Sequence, residues 1–139
     1  MRFRFAKLLV LLLFVSSPLA FAQWQWGRPR APKAGACFYK EGDFGGDYFC
    51  LKVGERWPSM PAGFNDKISS IRVFGKARVR IFNAANFGAP NLLIDHNVGD
   101  LRRVPVSVSD SRFRNKNWND RISSIAVFVR DRDEWRDRR

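Results

Sequence analysis

Histidine is nearly absent from these 139 residues: His96 is the only one, and the cysteines number two, Cys37 and Cys50. Such poverty excludes a zinc site built from clustered imidazoles and thiolates. There is no Gly-x-Ser-x-Gly elbow and no phosphate-cradling Gly-x-x-x-x-Gly-Lys, the signatures of two large groups of enzymes. His96 beside Asp95 reads as an exposed loop pair rather than a catalytic base, so an enzyme is not expected. Apolar residues nowhere recur at helical spacing over ten or more positions, which leaves strands as the building element. After residue 22 no stretch approaches the roughly 20 apolar residues of a transmembrane helix.

What is present begins with a leader. Arg2, Arg4 and Lys7 precede an apolar run from Leu8 to Val15, and Ala20-Phe21-Ala22 offers a small-x-small cleavage site before Gln23. Residues 1–22 therefore read as a secretory signal peptide, and the mature chain as exported, to the periplasm or beyond the cell. In an oxidising compartment a lone cysteine pair usually closes a disulfide. Cys37 and Cys50 flank a glycine-rich turn whose strands could hold them face to face, the alternative being two buried thiols. The leader takes three of the 25 basic residues and none of the 13 acids, leaving a net charge of +9. A chain this basic attracts anionic partners, although its charge is spread rather than gathered.

One phrase occurs twice. Asn65-Asp66-Lys67-Ile68-Ser69-Ser70 returns as Asn119-Asp120-Arg121-Ile122-Ser123-Ser124. From Asn65 to Phe74, set against Asn119 to Phe128, eight of ten positions are identical, the exceptions being Lys67/Arg121 and Arg72/Ala126. Each copy precedes an apolar strand, Ile71–Phe74 or Ile125–Phe128. Upstream lies a second echo, Tyr39 to Gly46 and Phe82 to Ala89. Repetition fixes the architectural unit: about fifty residues, used twice.

Residues 23–35 read as a flexible basic arm carrying Trp24 and Trp26. In the first unit, strands are expected at Ala36–Tyr39, Asp47–Val53 and Ser69–Phe74, with Glu41–Gly46 as a turn and Glu55–Phe64 as an irregular crossing. In the second, Ala77–Phe82 alternates basic and apolar, the period of a half-buried strand. Leu92–Ile94 follows, and Val104–Val108 is the best remaining strand candidate. Tyr39 to Asn65 spans 26 positions and Phe82 to Asn119 spans 37, so the second unit carries an insertion, expected mostly within Ser107–Asn117 at the surface. Eight short strands with glycine and proline turns predict an all-β antiparallel sandwich. Residues 130–139 hold five arginines and four acids, a solvated tail.

These residues resemble the Greek-key motif of the βγ-crystallins. The aromatic followed by a glycine (Tyr39…Gly46) and the serine before an apolar strand (Ser70-Ile71) carry the likeness, and Asn-Asp-x-x-Ser-Ser is similar to the calcium-binding form of microbial members. The resemblance covers roughly 36–129. It implies a sandwich of two four-stranded Greek keys, motif one at 36–75 and motif two at 76–129. It also implies two calcium sites where the motifs cross. Ser69 and Ser123 would supply hydroxyl ligands, and Asp66 and Asp120, or their neighbours Asn65 and Asn119, side-chain oxygen. Lys67 and Arg121 would give backbone carbonyls, and Glu41 and Asn83 mark hairpin positions completing each shell. Ser70 and Ser124 would latch the hairpins, with Tyr39, Gly46 and Phe82 structural. The second hairpin has Ala89 where the family has glycine, which predicts a strained alanine or a turn shifted onto Gly88. Calcium takes six to eight oxygens, and so few carboxylates predict weak binding, toward ~10⁻⁴ M.

The leading expectation is thus a calcium-binding structural module. A proteinase inhibitor is the first rival, since some small exported proteins of this likeness block metalloproteinases and Cys37-Phe38-Tyr39…Phe44-Gly45-Gly46 is similar to theirs. A binder of anionic polymers through the arm and the Arg102–Arg114 loop is the second. Nucleic acid is not expected, for no aromatic–basic pattern stands out, Trp118 and Phe113 being as suited to packing as to stacking.

Overall fold

The computed structural model describes residues 29–129. The expected signal peptide, the beginning of the arm and the charged tail lie outside the described residues. Among the described residues seven strands form, in chain order: β1 (Gly35–Tyr39), β2 (Tyr48–Lys52), β3 (Arg56–Trp57), β4 (Ser70–Phe74), β5 (Ala77–Ala84), β6 (Gly88–Ile94) and β7 (Ser124–Val129). One antiparallel sheet runs β2-β1-β4 and the other β3-β7-β5-β6. The remaining helical structure is three short 3-10 turns among the described residues. No described helix is long and apolar enough to cross a membrane.

The third strand of the first unit does not pair within its own sheet. β3 crosses to the other one, setting Trp57 against Ile125. The second unit returns the exchange with a single bridge, Val98 to Ile71, closed by hydrogen bonds of 2.9 and 2.8 Å. Ile71 and Ile125 are the same word in the two repeats, so Trp57 and Val98 are structural equivalents. Each half thus stitches itself into the other, and the two keys share one core.

Residue pattern explains the layers. On β5, Val79 and Ile81 are fully buried while Arg78 and Arg80 between them are half-exposed, as strand alternation requires. Phe38, Leu51, Ile68 and Ile71 from one half meet Ile81, Ile122, Ile125 and Val127 from the other. Burying each such side chain contributes about 1.5–3 kcal/mol. Phe64 and Trp118, each one step before its Asn-Asp pair, are both buried. Phe49 links the aromatic part of the core, stacking on Phe38 and Trp57 at 5.0 Å and meeting Phe64 edge-on.

Cys37 and Cys50 lie directly opposite on β1 and β2 and are joined as a disulfide. This settles the choice left open above against free thiols. Closing a loop of that size contributes about 3 kcal/mol on the chain-entropy account.

Three expectations need correction. Val104–Val108 is not a strand; only Pro105 pairs, in an isolated bridge to Asn117. Just after Val98 the chain tightens into a 3-10 turn, Leu101–Arg103, anchored by the Leu101 N–H on the Ser69 carbonyl at 2.9 Å. That anchor diverts the chain from the sheet edge, so the described second unit has three strands and a bridge rather than four strands. Ala89 bears no left-handed strain, and Gly88 does not adopt a positive φ either: the reversal is complete earlier, at Asn86 (φ 55°) and Phe87 (φ 60°). Glycine is still needed at 88, because a Cβ there would lie 2.7 Å from the Ala84 Cβ. Finally, the end of the arm is held rather than loose. Tyr48 donates to the Pro29 carbonyl at 3.1 Å, Val53 N–H to the Ala34 carbonyl, and Gly35 already belongs to β1.

Candidate functional site

The site grows from two latched hairpins. Ser70 Oγ donates to the Glu41 carbonyl at 2.6 Å and accepts from the Phe44 N–H at 3.0 Å. Ser124 Oγ donates to the Ala84 carbonyl at 2.7 Å and accepts from the Phe87 N–H at 3.0 Å. Both serines are fully buried, where a satisfied hydroxyl fixes geometry that water would otherwise compete for. Phe44 and Phe87 then meet Tyr39 and Phe82 edge-on, at 5.7 and 5.4 Å. Burial raises the Tyr39 phenol above its ordinary pKa, with Arg72 opposing and Tyr48 adding to it. Gly46 turns at φ 73° beneath the Glu41 side chain, where a Cβ would come within 3.0 Å of Cγ.

Latching brings the Asn-Asp loops side by side. Ser69 N–H donates to the Tyr39 carbonyl and Ser123 N–H to the Phe82 carbonyl, each at 2.9 Å. The loops then exchange bonds: Asp66 N–H reaches the Ile122 carbonyl at 3.3 Å and Asp120 N–H the Ile68 carbonyl at 3.1 Å. Asp66 and Asp120 both take left-handed φ, 52° and 53°, which aspartate tolerates. Asn65 and Asn119 clip their neighbours' carboxylates, Nδ2 to Oδ2 at 2.9 and 2.7 Å. Two six-residue segments 54 positions apart in sequence thereby become one surface.

On that surface Ser123 Oγ donates to Asp66 Oδ1 at 3.2 Å. A carboxylate from one motif and a hydroxyl from the other thus converge, as a hard cation requires. The Arg121 carbonyl lies in the same loop and accepts from Asn83 Nδ2 at 2.9 Å, leaving a second lone pair. Among the described residues no three His, Cys, Asp or Glu side chains gather closely enough to hold a metal. An ion here would depend on carbonyls, hydroxyls and water beside one carboxylate. The donor set is all oxygen and fits calcium in kind.

Glu41 and Asn83 prove to be inequivalent. The latches match Glu41 with Ala84, so Asn83 matches Lys40, which pairs with Asp47 at 3.4 Å. The sequence signal for Ala84 was already there, since each lies two residues after its aromatic, Tyr39 or Phe82. Lys67 is exposed, its N–H bonded to the Phe64 carbonyl.

The mirror-image crossing differs. Among the described residues Ser69 makes no hydrogen bond to Asp120, and Asn119 Oδ1 is buried without a partner. The turn anchored on Ser69 brings Arg102 over the first hairpin, its Nη2 3.6 Å from where a Gly42 Cβ would stand. Asp100 Oδ1 accepts from Arg102 N and Nε at 3.0 and 2.9 Å. That bond, then the carboxylates of Asp120 and Asp43, raise the guanidinium's pKa, and the Arg102 bonds in turn lower that of Asp100. Sequence reasoning gave Arg102 only a place in a basic loop.

Three arginines of the basic loop are internally paired. Arg102 and Arg103 flank Asp100, Arg112 pairs with Asp110, and Trp118 is 1% exposed. His96 pairs with Asp95 at 3.0 Å in solvent.

The chain matches the model of peptidase inhibitor family I36 over residues 25–92. It is similar to a βγ-crystallin domain from Flavobacterium johnsoniae at 22% identity, covering 70% of this chain and 97% of that one with a TM-score of 0.54. A structure described under the evolution of the eye lens βγ-crystallin domain fold reaches 26% identity, coverage of 74% and 94%, and a TM-score of 0.55. A βγ-crystallin domain of Abundant Perithecial Protein from Neurospora crassa, in its Ca2+-bound form, gives 20% identity, coverage of 74% and 97%, and 0.55. A search of curated proteins found no significant match.

Proposed function

Starting from a chain that has the βγ-crystallin fold, we propose that it is an exported, non-catalytic structural module that binds calcium where its two Asn-Asp loops cross. The observation that carries this reading is the Asp66 carboxylate meeting the Ser123 hydroxyl at 3.2 Å across the reciprocal Asp66–Ile122 and Asp120–Ile68 bonds. A cation seated there draws both keys together, and it binds only when the loops are crossed. Binding to the folded state alone stabilises it by about 2.7 kcal/mol at a hundred times the dissociation constant. The Cys37–Cys50 disulfide suits an oxidising, extracytoplasmic setting. With few carboxylates the affinity is weak, matched to the abundant calcium outside cells.

The test is calorimetric titration with calcium, joined to thermal unfolding in calcium and in chelator. Heat of binding and a calcium-dependent rise in melting temperature are expected, and both vanish in the Ser69→Ala, Ser123→Ala double variant. Unchanged melting in calcium would sink the reading.

A second reading is supported by the match to peptidase inhibitor family I36, which spans the first key and the first hairpin of the second. On it, the Tyr39–Gly46 hairpin region contacts a protease. A panel of metallo- and serine proteases decides: inhibition at micromolar protein, independent of calcium, favours this reading over the first, and no inhibition removes it.

A further inference from the structure

The two crossings are written in nearly the same six residues, but a guanidinium is set into one of them. We propose that Arg102 is the built-in counter-cation of the Asp120–Ser69 crossing, so that the chain takes one calcium ion, at the Asp66–Ser123 crossing, rather than two. This deepens the calcium reading above and rests on it.

Four contacts fix Arg102 there. The Leu101 N–H is bound to the Ser69 carbonyl at 2.9 Å, which ties the turn to the loop that would supply the second site's hydroxyl. The Asp43 N–H is bound to the Gly99 carbonyl at 2.7 Å, which ties the same segment to the hairpin. Asp100 grips Nε and the backbone N–H of Arg102. The far end of the guanidinium then reaches over Gly42, where, after Asp100, the charges of Asp120 and Asp43 help to hold it protonated.

The first crossing supplies the control. There the Asn86 N–H is bound to the Pro58 carbonyl at 2.7 Å, so Pro58 corresponds to Gly99. Three residues further on stand Pro61 in the first unit and Arg102 in the second. Proline carries no charge, and Ser123 is free to turn toward Asp66. Two other cations are matched across the comparison, Arg72 over Phe44 and Arg56 over Phe87 at 4.5 and 4.7 Å, and Lys40, which stands where the second hairpin has Asn83, is paired with Asp47. Arg102 is the excess. A fixed positive charge beside a divalent ion disfavours it by about tenfold even in a water-like dielectric. The charge of Asp120 acts on that guanidinium already, while its Oδ2 is held by Asn119 Nδ2.

The experiment is calorimetric counting of calcium ions on the purified protein and on Arg102→Gln and Arg102→Lys. The expected result is one ion on the wild type, two on Arg102→Gln with the second within about tenfold of the first, and one on Arg102→Lys. Asp66→Asn should empty the wild type and Asp120→Asn should leave its ion in place, a pair that decides the matter even if Arg102→Gln does not fold. Two ions on the wild type, or one on a folded Arg102→Gln, overturns the role of Arg102 while calcium binding stands. No ion on any variant overturns both. Melting in chelator establishes that each variant is folded.

Discussion

Eight positions separate Trp57 from Asn65 in the first Greek key, while twenty-one separate the equivalent Val98 from Asn119 in the second. The hairpins on either side of this difference are latched alike, serine to carbonyl and amide to serine, within 0.1 Å. The loops after it are exchanged alike as well, through paired aspartate N–H bonds. What differs is the path between. A short crossing runs through Pro58 and Pro61 and brings no charged side chain with those two residues. The long one holds two 3-10 turns, the Pro105–Asn117 bridge and a buried tryptophan, and it carries Arg102 over the first hairpin. The halves agree in the contacts that latch their hairpins and differ in the segment that neither latch uses.

The largest expected effect attacks the added segment. Trp118→Ala should cost about 3–5 kcal/mol, the usual range for a fully buried aromatic, and Phe64→Ala, at the matching position, somewhat less because its ring is smaller. Denaturant midpoints check this, and a larger loss at Phe64 would break the view that the long crossing depends on its own tryptophan. The disulfide belongs to the first key alone. Cys37→Ser with Cys50→Ser should cost about 3 kcal/mol, seen as a lower melting temperature that reductant does not lower further.

Calcium separates the halves more finely. Ser123→Ala should abolish the calcium-dependent stabilisation, about 2.7 kcal/mol at a hundred times the dissociation constant, whereas Ser69→Ala should keep most of it in the same melting experiment. Equal losses would mean that the crossings are equivalent. Ser70→Ala and Ser124→Ala each strand a buried amide and carbonyl and should cost about 1–3 kcal/mol, equally and without regard to calcium. The smallest effect is at acid pH. Arginine holds the Asp100 and Asp110 carboxyls below their ordinary range. The unfolded chain therefore binds protons first, and this stability is present above the unfolded carboxylate pKa and lost as pH falls through the folded one. Asp100→Asn should flatten the slight loss expected below about pH 5, measured as melting temperature against pH in chelator.

Much of the frame was legible because its signals are local. Alternation on Ala77–Phe82 gave β5, which runs on to Ala84, and cysteines flanking a glycine-rich turn gave a cross-strand pair. The repeated Asn-Asp-x-x-Ser-Ser marked both loops. Val104–Val108 misled because its apolar residues serve the core from a loop: Val106 is buried without lying in a strand. Asn83 stood out as a polar side chain, while its neighbour Ala84 offers only a carbonyl and is marked in the sequence by its spacing from Phe82 alone.

The sequence by itself determined the number of units, most of their strands and the pair of hexapeptides, since strand period, turn chemistry and repetition are properties of neighbouring residues. Only the tertiary structure decided which loop meets which, that Asp66 faces Ser123, and that Arg102 comes to lie over the first hairpin beside the other crossing. Those contacts join residues up to 60 positions apart, and they form only when the exchanged third segments close one core around both halves.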